Sequence, residues 1–232
     1  MHEPRSNAMK EDTDSFLDEL KRGYVDSGEI EHLLRGTDIS VLSDFLDNWS
    51  VIKQFEKKFY ADGYPKVVLC GINPGRLGAG KTGIPFIDFA SLSKMIPGID
   101  RNDSERSASF FFEIVQSIGV EKFYRNFYVT NISWLGYQHH NKNVNYDQLP
   151  KAAKAFVYRM FRWEMEYVKP VKIISLGAVV HDTVRASFAD TDIDVSQSLP
   201  HPNYCAFPKN YDRCKAQYLE VIADYMNHGN TR

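Results

Sequence analysis

Cysteine is the first shortage. Three cysteines (Cys70, Cys205, Cys214) stand among 232 residues, an odd count without C-x-x-C spacing, which excludes a disulfide framework and a zinc knuckle and leaves reduced thiols as the expectation. Long apolar runs are missing too. No stretch approaches the roughly 20 residues of a membrane span, and Met1-His2-Glu3-Pro4-Arg5 has none of the apolar core of a secretory signal. A cytoplasmic protein is expected. Nor is there an excess of basic residues, since 28 Lys and Arg against 30 Asp and Glu give a formal net charge of −2. That argues against holding nucleic acid by bulk electrostatics, so any contact with phosphates has to be local. Internal repeats and low-complexity tracts are also lacking.

What is there is an ordinary globular composition, 43% hydrophobic and 25% charged, enough for one sizeable core. Ser6-Asn7-Ala8 before Met9 looks like a cloning remnant and residues 1–13 are polar enough to fray. One domain is therefore expected over residues 14–232, beginning with extra helices. Phe16, Leu17 and Leu20 share a helical face, and Leu42, Phe45, Leu46 and Trp49 repeat at i, i+3, i+4, i+7. A further helix over residues 51–60 ends at Asp62-Gly63-Tyr64-Pro65.

Three continuous apolar segments bounded by breakers suit strands buried on both faces: 66–71, 127–131 and 171–176. A weaker fourth is expected near 193–199. Helices are expected between and after them, over 109–118, 150–168, 178–188 and about 211–226. Alternating strands and helices imply an α/β fold, a mostly parallel sheet with right-handed crossovers covered on both faces. Ligands of such sheets bind beyond the carboxyl ends of the strands. Those ends read Gly71-Ile72-Asn73-Pro74-Gly75, Asn131-Ile132-Ser133-Trp134 and Pro200-His201-Pro202-Asn203.

One motif there is misleading. Gly75-Arg76-Leu77-Gly78-Ala79-Gly80-Lys81-Thr82 satisfies the phosphate-loop pattern G-x-x-x-x-G-K-[ST]. A phosphate loop needs a helix starting at its Lys and Ser/Thr, and Gly83 and Pro85 interrupt that helix in its first turn. No apolar strand ends in an aspartate to support magnesium.

From about Lys66 to Ile222 the chain resembles the single-strand-selective monofunctional uracil-DNA glycosylases of the uracil-DNA glycosylase superfamily. The resemblance rests on Gly71-Ile72-Asn73-Pro74-Gly75, Thr82-Gly83-Ile84-Pro85-Phe86, Asn131 and Leu199-Pro200-His201-Pro202, four motifs in order. It implies a three-layer α/β/α sandwich with a central four-stranded parallel sheet. It also implies a DNA glycosylase without cofactor or metal, which flips uracil, or xanthine or hypoxanthine, out of DNA and hydrolyses its N-glycosidic bond.

The roles follow from the resemblance. Asn73 would position the hydrolytic water, and His201 would donate a hydrogen bond to the anion forming on the departing base. Phe86 would stack on the flipped base, and Asn131 would read its edge, accepting from N3–H and donating to O4. Gly71, Ile72, Pro74 and Gly75 would shape the pocket. Asn203, Phe207, Lys209 and Arg213 lie where the family carries the loop that wedges into the duplex; the family usually continues His-Pro with Ser, and here Asn203 follows. Asp88, two residues past Phe86, is a candidate to reach the pocket and assist the water.

Each of these residues alone has a plainer reading: Asn73-Pro74-Gly75 a turn, Phe86 core, Asn131 a strand cap, His201 a loop histidine. Their joint placement favours function. His139-His140 has no third metal ligand in the sequence around it and is taken as a solvated loop; His181 is expected to be structural. Two rivals remain: the mismatch-specific uracil/thymine glycosylases, whose second motif begins with Asn where this chain has His201, and a non-catalytic nucleic-acid-binding module. The iron–sulfur branch would need four thiolates.

Overall fold

The computed structural model describes residues 16–228, so the expected remnant at 1–13 lies outside the described residues. Seven strands are described: β1 (Ile39–Val41), β2 (Val67–Gly71), β3 (Phe127–Asn131), β4 (Tyr137–His139), β5 (Lys142–Val144), β6 (Lys172–Leu176) and β7 (Ser198–Leu199). The central sheet has the order β3-β2-β6-β7 with every pairing parallel. Its inner strands are the apolar runs of the sequence: β3 and β6 are buried at every residue, and β2 at all but its first. The fourth strand is two residues long, extended upstream by a single bridge between Lys172 and Asp194. As an edge strand with one neighbour it carries little apolar patterning.

The helices are α1 (described over residues 16–21), α2 (Glu29–Leu33), α3 (Trp49–Phe59), α4 (Ala79–Thr82), α5 (Phe89–Leu92), α6 (Arg106–Ile118), α7 (Val120–Asn126), α8 (Lys151–Val168), α9 (Ala178–Ser187), α10 (Pro202–Cys205) and α11 (Pro208–His228). The chain leaves β2 for β3 on one side, then returns past β2 to β6 and β7 on the other. Right-handed crossovers therefore place α4–α7 on one face and α8 and α9 on the opposite face, giving the α/β/α sandwich. Aromatic contacts bind the layers: Phe110 of α6 meets Tyr211 and Tyr218 of α11 edge-on, and Phe16 of α1 stacks on Tyr167 of α8 at 4.4 Å. Among the described residues no helix is long and apolar enough to cross a membrane.

One polar network lies inside this core. Tyr128 and Thr130 of β3 donate hydrogen bonds of 2.8 and 2.6 Å to the same oxygen of Glu164, a fully buried residue of α8. Burial pushes the Glu164 carboxyl up to about 7, because a dry interior disfavours its charged form.

Two expectations need correction. Leu42, Phe45, Leu46 and Trp49 do not share one α-helix: β1 ends at Val41, a 3₁₀ turn covers Asp44–Asn48 and α3 starts at Trp49. Periods of 3.0 and 3.6 are hard to separate over so few residues. His139-His140 is not a loose loop but the turn of a hairpin, β4–β5, which with β1 forms a second, antiparallel sheet. His140 and Asn141 both have positive φ (49° and 61°), the two-residue turn whose twist matches flanking strands.

Candidate active site

The carboxyl ends of β2, β3, β6 and β7 converge on a cavity of about 480 Å³. Of the residues the sequence singled out, Ile72, Asn73, Pro74, Gly75, Phe86, Asn131, His201 and Asn203 all line it. Gly71 lies beneath its floor, where a β-carbon would overlap Asn131 Oδ1 and the Phe86 ring. That close approach of two side chains over one backbone position is why the strand ends in glycine.

Phe86 carries strain. Its φ is 57°, a region in which a bulky side chain is an outlier costing on the order of 1–3 kcal/mol. Such strain persists where the surroundings over-determine it. Here Phe111 of α6 stacks on the ring at 5.0 Å, and His201 lies 6.1 Å from it on the cavity wall.

His201 follows β7 and begins α10. Its Nδ1 accepts the backbone N–H of Asn203 at 3.1 Å, so the single proton of a neutral ring resides on Nε2. Burial pushes its pKa down to about 4, so at neutral pH the ring is an uncharged donor with its Nε2–H uncommitted by that cap. Gly177, at φ 117°, turns β6 into α9 beside it, and a β-carbon there would lie 3.4 Å from His201 Cβ.

Asn73 is held by the hairpin. Its Oδ1 accepts from Tyr146 N at 3.0 Å, while its Nδ2 donates to Val144 O and Pro74 O, each at 3.3 Å. An amide flipped end for end would face donor with donor, so the backbone partners fix its orientation. Asn143 accepts from Arg76 N at 3.1 Å and ties the same hairpin to the loop after β2. Asn143 and Asn145 both line the cavity.

Asp88 does not reach the cavity. It is fully buried, its Oδ1 accepting from Ser91 N at 2.8 Å to cap α5 and its Oδ2 accepting from Glu105 N at 2.7 Å. The carboxylate that lines the cavity is Glu105, which the sequence did not single out. It sits in a loop before α6 with no motif around it.

Phe207, Lys209 and Arg213 lie outside the cavity lining. Phe207 is exposed, with the Arg106 guanidinium 4.7 Å above its ring, and Arg213 donates to Tyr204 Oη at 3.1 Å. Lys209 is exposed. Arg106 and Tyr204 extend this patch beyond the residues foreseen. His181 is half-buried on α9.

The phosphate-loop pattern builds no phosphate site. Four-residue α4 starts at Ala79 and stops at Gly83, whose φ is 72°. Lys81 pairs with Asp103 at 2.6 Å, and the buried Thr82 hydroxyl donates to Ile87 O at 2.6 Å. The third metal-ligand candidate missing from the sequence around His139-His140 comes from across the sheet. Asp38 approaches His139 Nε2 to 3.8 Å, and the ligand atoms of all three exposed residues lie within 4.8 Å of one another.

No curated protein matches the chain significantly. The crystal structure of wild-type SMUG2 from Pedobacter heparinus is similar to it, with a TM-score of 0.68 and 26% identity, covering 84% of this chain and 90% of that one. The family model of the uracil DNA glycosylase superfamily matches residues 58–223, a span that holds all four motifs at the strand ends. The chain belongs to the uracil DNA glycosylase superfamily, and is thereby a DNA glycosylase.

Proposed function

We propose that the protein removes uracil from DNA as a monofunctional glycosylase, flipping the base into the cavity and hydrolysing its N-glycosidic bond. The observation that carries this reading is His201: an imidazole in the cavity lining, kept neutral by burial, whose Nδ1 is capped by a backbone amide so that its proton lies on Nε2. A departing base carries negative charge, and a preorganised donor in a water-poor wall stabilises it far more than water would. Being neutral, the ring donates without first needing to lose or gain a proton at physiological pH.

The remaining lining completes the assignment. Phe86 offers a ring for stacking, a contact worth about 1–3 kcal/mol for bases on aromatics, which offsets part of the few kcal/mol that flipping costs. Asn131 can accept from N3–H and donate to O4 of uracil at once. Asn73, clamped by Val144 and Tyr146, holds the water. The exposed patch of Phe207, Arg106, Lys209 and Arg213 suits a wedge with phosphate contacts, and Asn203 at the cavity edge suits contact with the nucleotide. That local patch fits a protein without net positive charge. Xanthine and hypoxanthine are further candidate substrates, since each presents an N–H beside a C=O as uracil does.

The test is single-turnover cleavage, with excess enzyme in EDTA, of single- and double-stranded oligonucleotides bearing uracil, xanthine or hypoxanthine, beside His201→Ala. Release by wild type that collapses in the variant is expected. No release from any substrate, with DNA binding indifferent to the substitution, would leave a binding module instead.

A further inference from the structure

The cavity contains one acid for which the roles above have no use. Glu105 starts α6 yet makes no side-chain cap bond to it. Its two carboxylate oxygens lie against the backbone after β2: a β-carbon on Gly75 would overlap Oε1, and one on Gly78 would overlap Oε2. Neither glycine has a positive φ, and both leave the carboxylate room to lie close against the loop. The backbone beneath it is fixed by Asp88, a buried carboxylate with one oxygen on Glu105 N. Asp88 thus fixes the backbone of Glu105, and two glycines leave space for its carboxyl group at the cavity wall.

The reaction has a gap of the same shape. The water that attacks C1′ must lose a proton, and an amide such as Asn73 is too weak a base to take one. Its Oδ1 is already engaged by Tyr146 N. We propose that Glu105 is a catalytic residue of this enzyme, taking the proton of the attacking water and facing the positive charge that develops on the sugar. The proposal rests on the glycosylase reading. In the step, the C1′–N bond breaks with its electron pair passing to the base, and the water oxygen forms the new C1′–O bond. The water proton moves to the Glu105 carboxylate and then to the released base or solvent, restoring the carboxylate.

The electrostatics suit a base working near neutrality. Burial, and after it the negative Asp88, push the Glu105 carboxyl up from its ordinary range, opposed by a hydrogen bond from Ser107. His201 is the other titratable side chain of the lining and is uncharged at neutral pH. Asp103, two residues before Glu105, is paired with Lys81 and Arg101. A carboxyl with a raised pKa accepts protons more readily than an ordinary one.

Glu105→Gln keeps shape and removes the base. Its single-turnover rate at pH 7 is expected to fall about 10²–10³-fold, within the usual range for general-base removal. Affinity for an oligonucleotide with a 2′-fluorinated, cleavage-resistant deoxyuridine should stay within about threefold of wild type, since only the chemical step loses an interaction. Ser107→Ala, which removes the bond that lowers the Glu105 pKa, should move the acid limb of the wild-type pH–rate profile to higher pH, a shift that packing alone would not produce. If Glu105→Gln does not fold, that shift decides. The proposal is overturned if Glu105→Gln keeps the wild-type rate, if its loss appears equally in affinity, or if the acid limb stays in place in Ser107→Ala. Wild-type release with an unaffected Glu105→Gln sinks this proposal alone; a silent wild type sinks the glycosylase reading as well.

Discussion

The cavity has two kinds of wall. One is made at the strand ends of the central sheet, by Asn131 and the turn leading to His201; the other is brought to it by the segment that follows β4 and the loop before α6, through Asn143, Asn145 and Glu105, with Val144 O and Tyr146 N bonded to Asn73. The first wall inherits its rigidity from buried parallel strands that cannot move without breaking the core. The second is held by a short antiparallel sheet and by the amide hydrogen bonds of Asn73 and Asn143. On the proposed reading, chemistry on the base falls to the first wall and control of water to the second.

The largest effect should come from the stiff wall. His201→Ala removes the donor proposed to stabilise the anion of the leaving base and should lower single-turnover excision about 10²–10³-fold, the usual loss for one such donor. The abasic product should form at the reduced rate with the same end point. A rate within an order of magnitude of wild type would move leaving-group stabilisation elsewhere in the cavity.

Gly71→Ala asks how stiff that wall is. Its new β-carbon would overlap Asn131 Oδ1 and the Phe86 ring, and Phe86, already at positive φ and backed by Phe111, has little room to retreat. Overpacking of this kind costs about 1–3 kcal/mol. A lower melting temperature together with weaker binding of the flipped base is expected. Unchanged values of both would show that the wall yields.

The two walls also differ in how far the sequence discloses them. Asn73 and Asn131 stood out because buried strands announce themselves as apolar runs, and ligands gather where such runs end, whereas His201, after a two-residue edge strand, stood out through the motif Leu199-Pro200-His201-Pro202 and the resemblance it carries. The hairpin did not. Tyr137-Gln138-His139 and Lys142-Asn143-Val144 are three-residue strands, mostly polar and too short to alternate, and His140-Asn141 is not the usual glycine-bearing turn. Asp88 and Glu105 show the same limit: both are acids near the pocket motifs, and only the packing of α5 against α6 decides which carboxylate turns inward. Asp38 beside His139 could not be foreseen for a similar reason, since the antiparallel pairing that joins them spans most of the first half of the chain.

The local wall can be tested through its turn. Asn141→Val puts a β-branched residue at φ 61°, where the left-handed conformation costs roughly 1–2 kcal/mol. Because Val144 O and Tyr146 N orient Asn73, a loosened hairpin should slow excision severalfold while leaving the central sheet's hydrogen-exchange protection intact. Equal loss of protection in β2 and β3 would mean that the two walls are one cooperative unit.

The smallest effect separates the walls by pH rather than by mutation of the site. Glu164, behind β3, has its carboxyl raised to about 7, so the folded protein holds a proton there that the unfolded chain releases near pH 4.3. Stability from this group is fully present below that unfolded value and is lost as pH rises through about 7. His201 acts in the opposite sense. Its folded pKa of about 4 lies below the unfolded value near 6.5, so the unfolded chain binds the extra proton, and this group's contribution is lost as pH falls from about 6.5 toward 4. Over pH 4.5–6.5 the two slopes nearly cancel, each being at most about 1.4 kcal/mol per pH unit. Glu164→Gln should expose the His201 slope, with urea midpoints that fall on acidification more steeply than in wild type, and His201→Ala should expose the reverse. If both variants track wild type across that window, neither group changes its proton affinity on folding, and the desolvated, neutral imidazole on which leaving-group stabilisation depends would have to be abandoned.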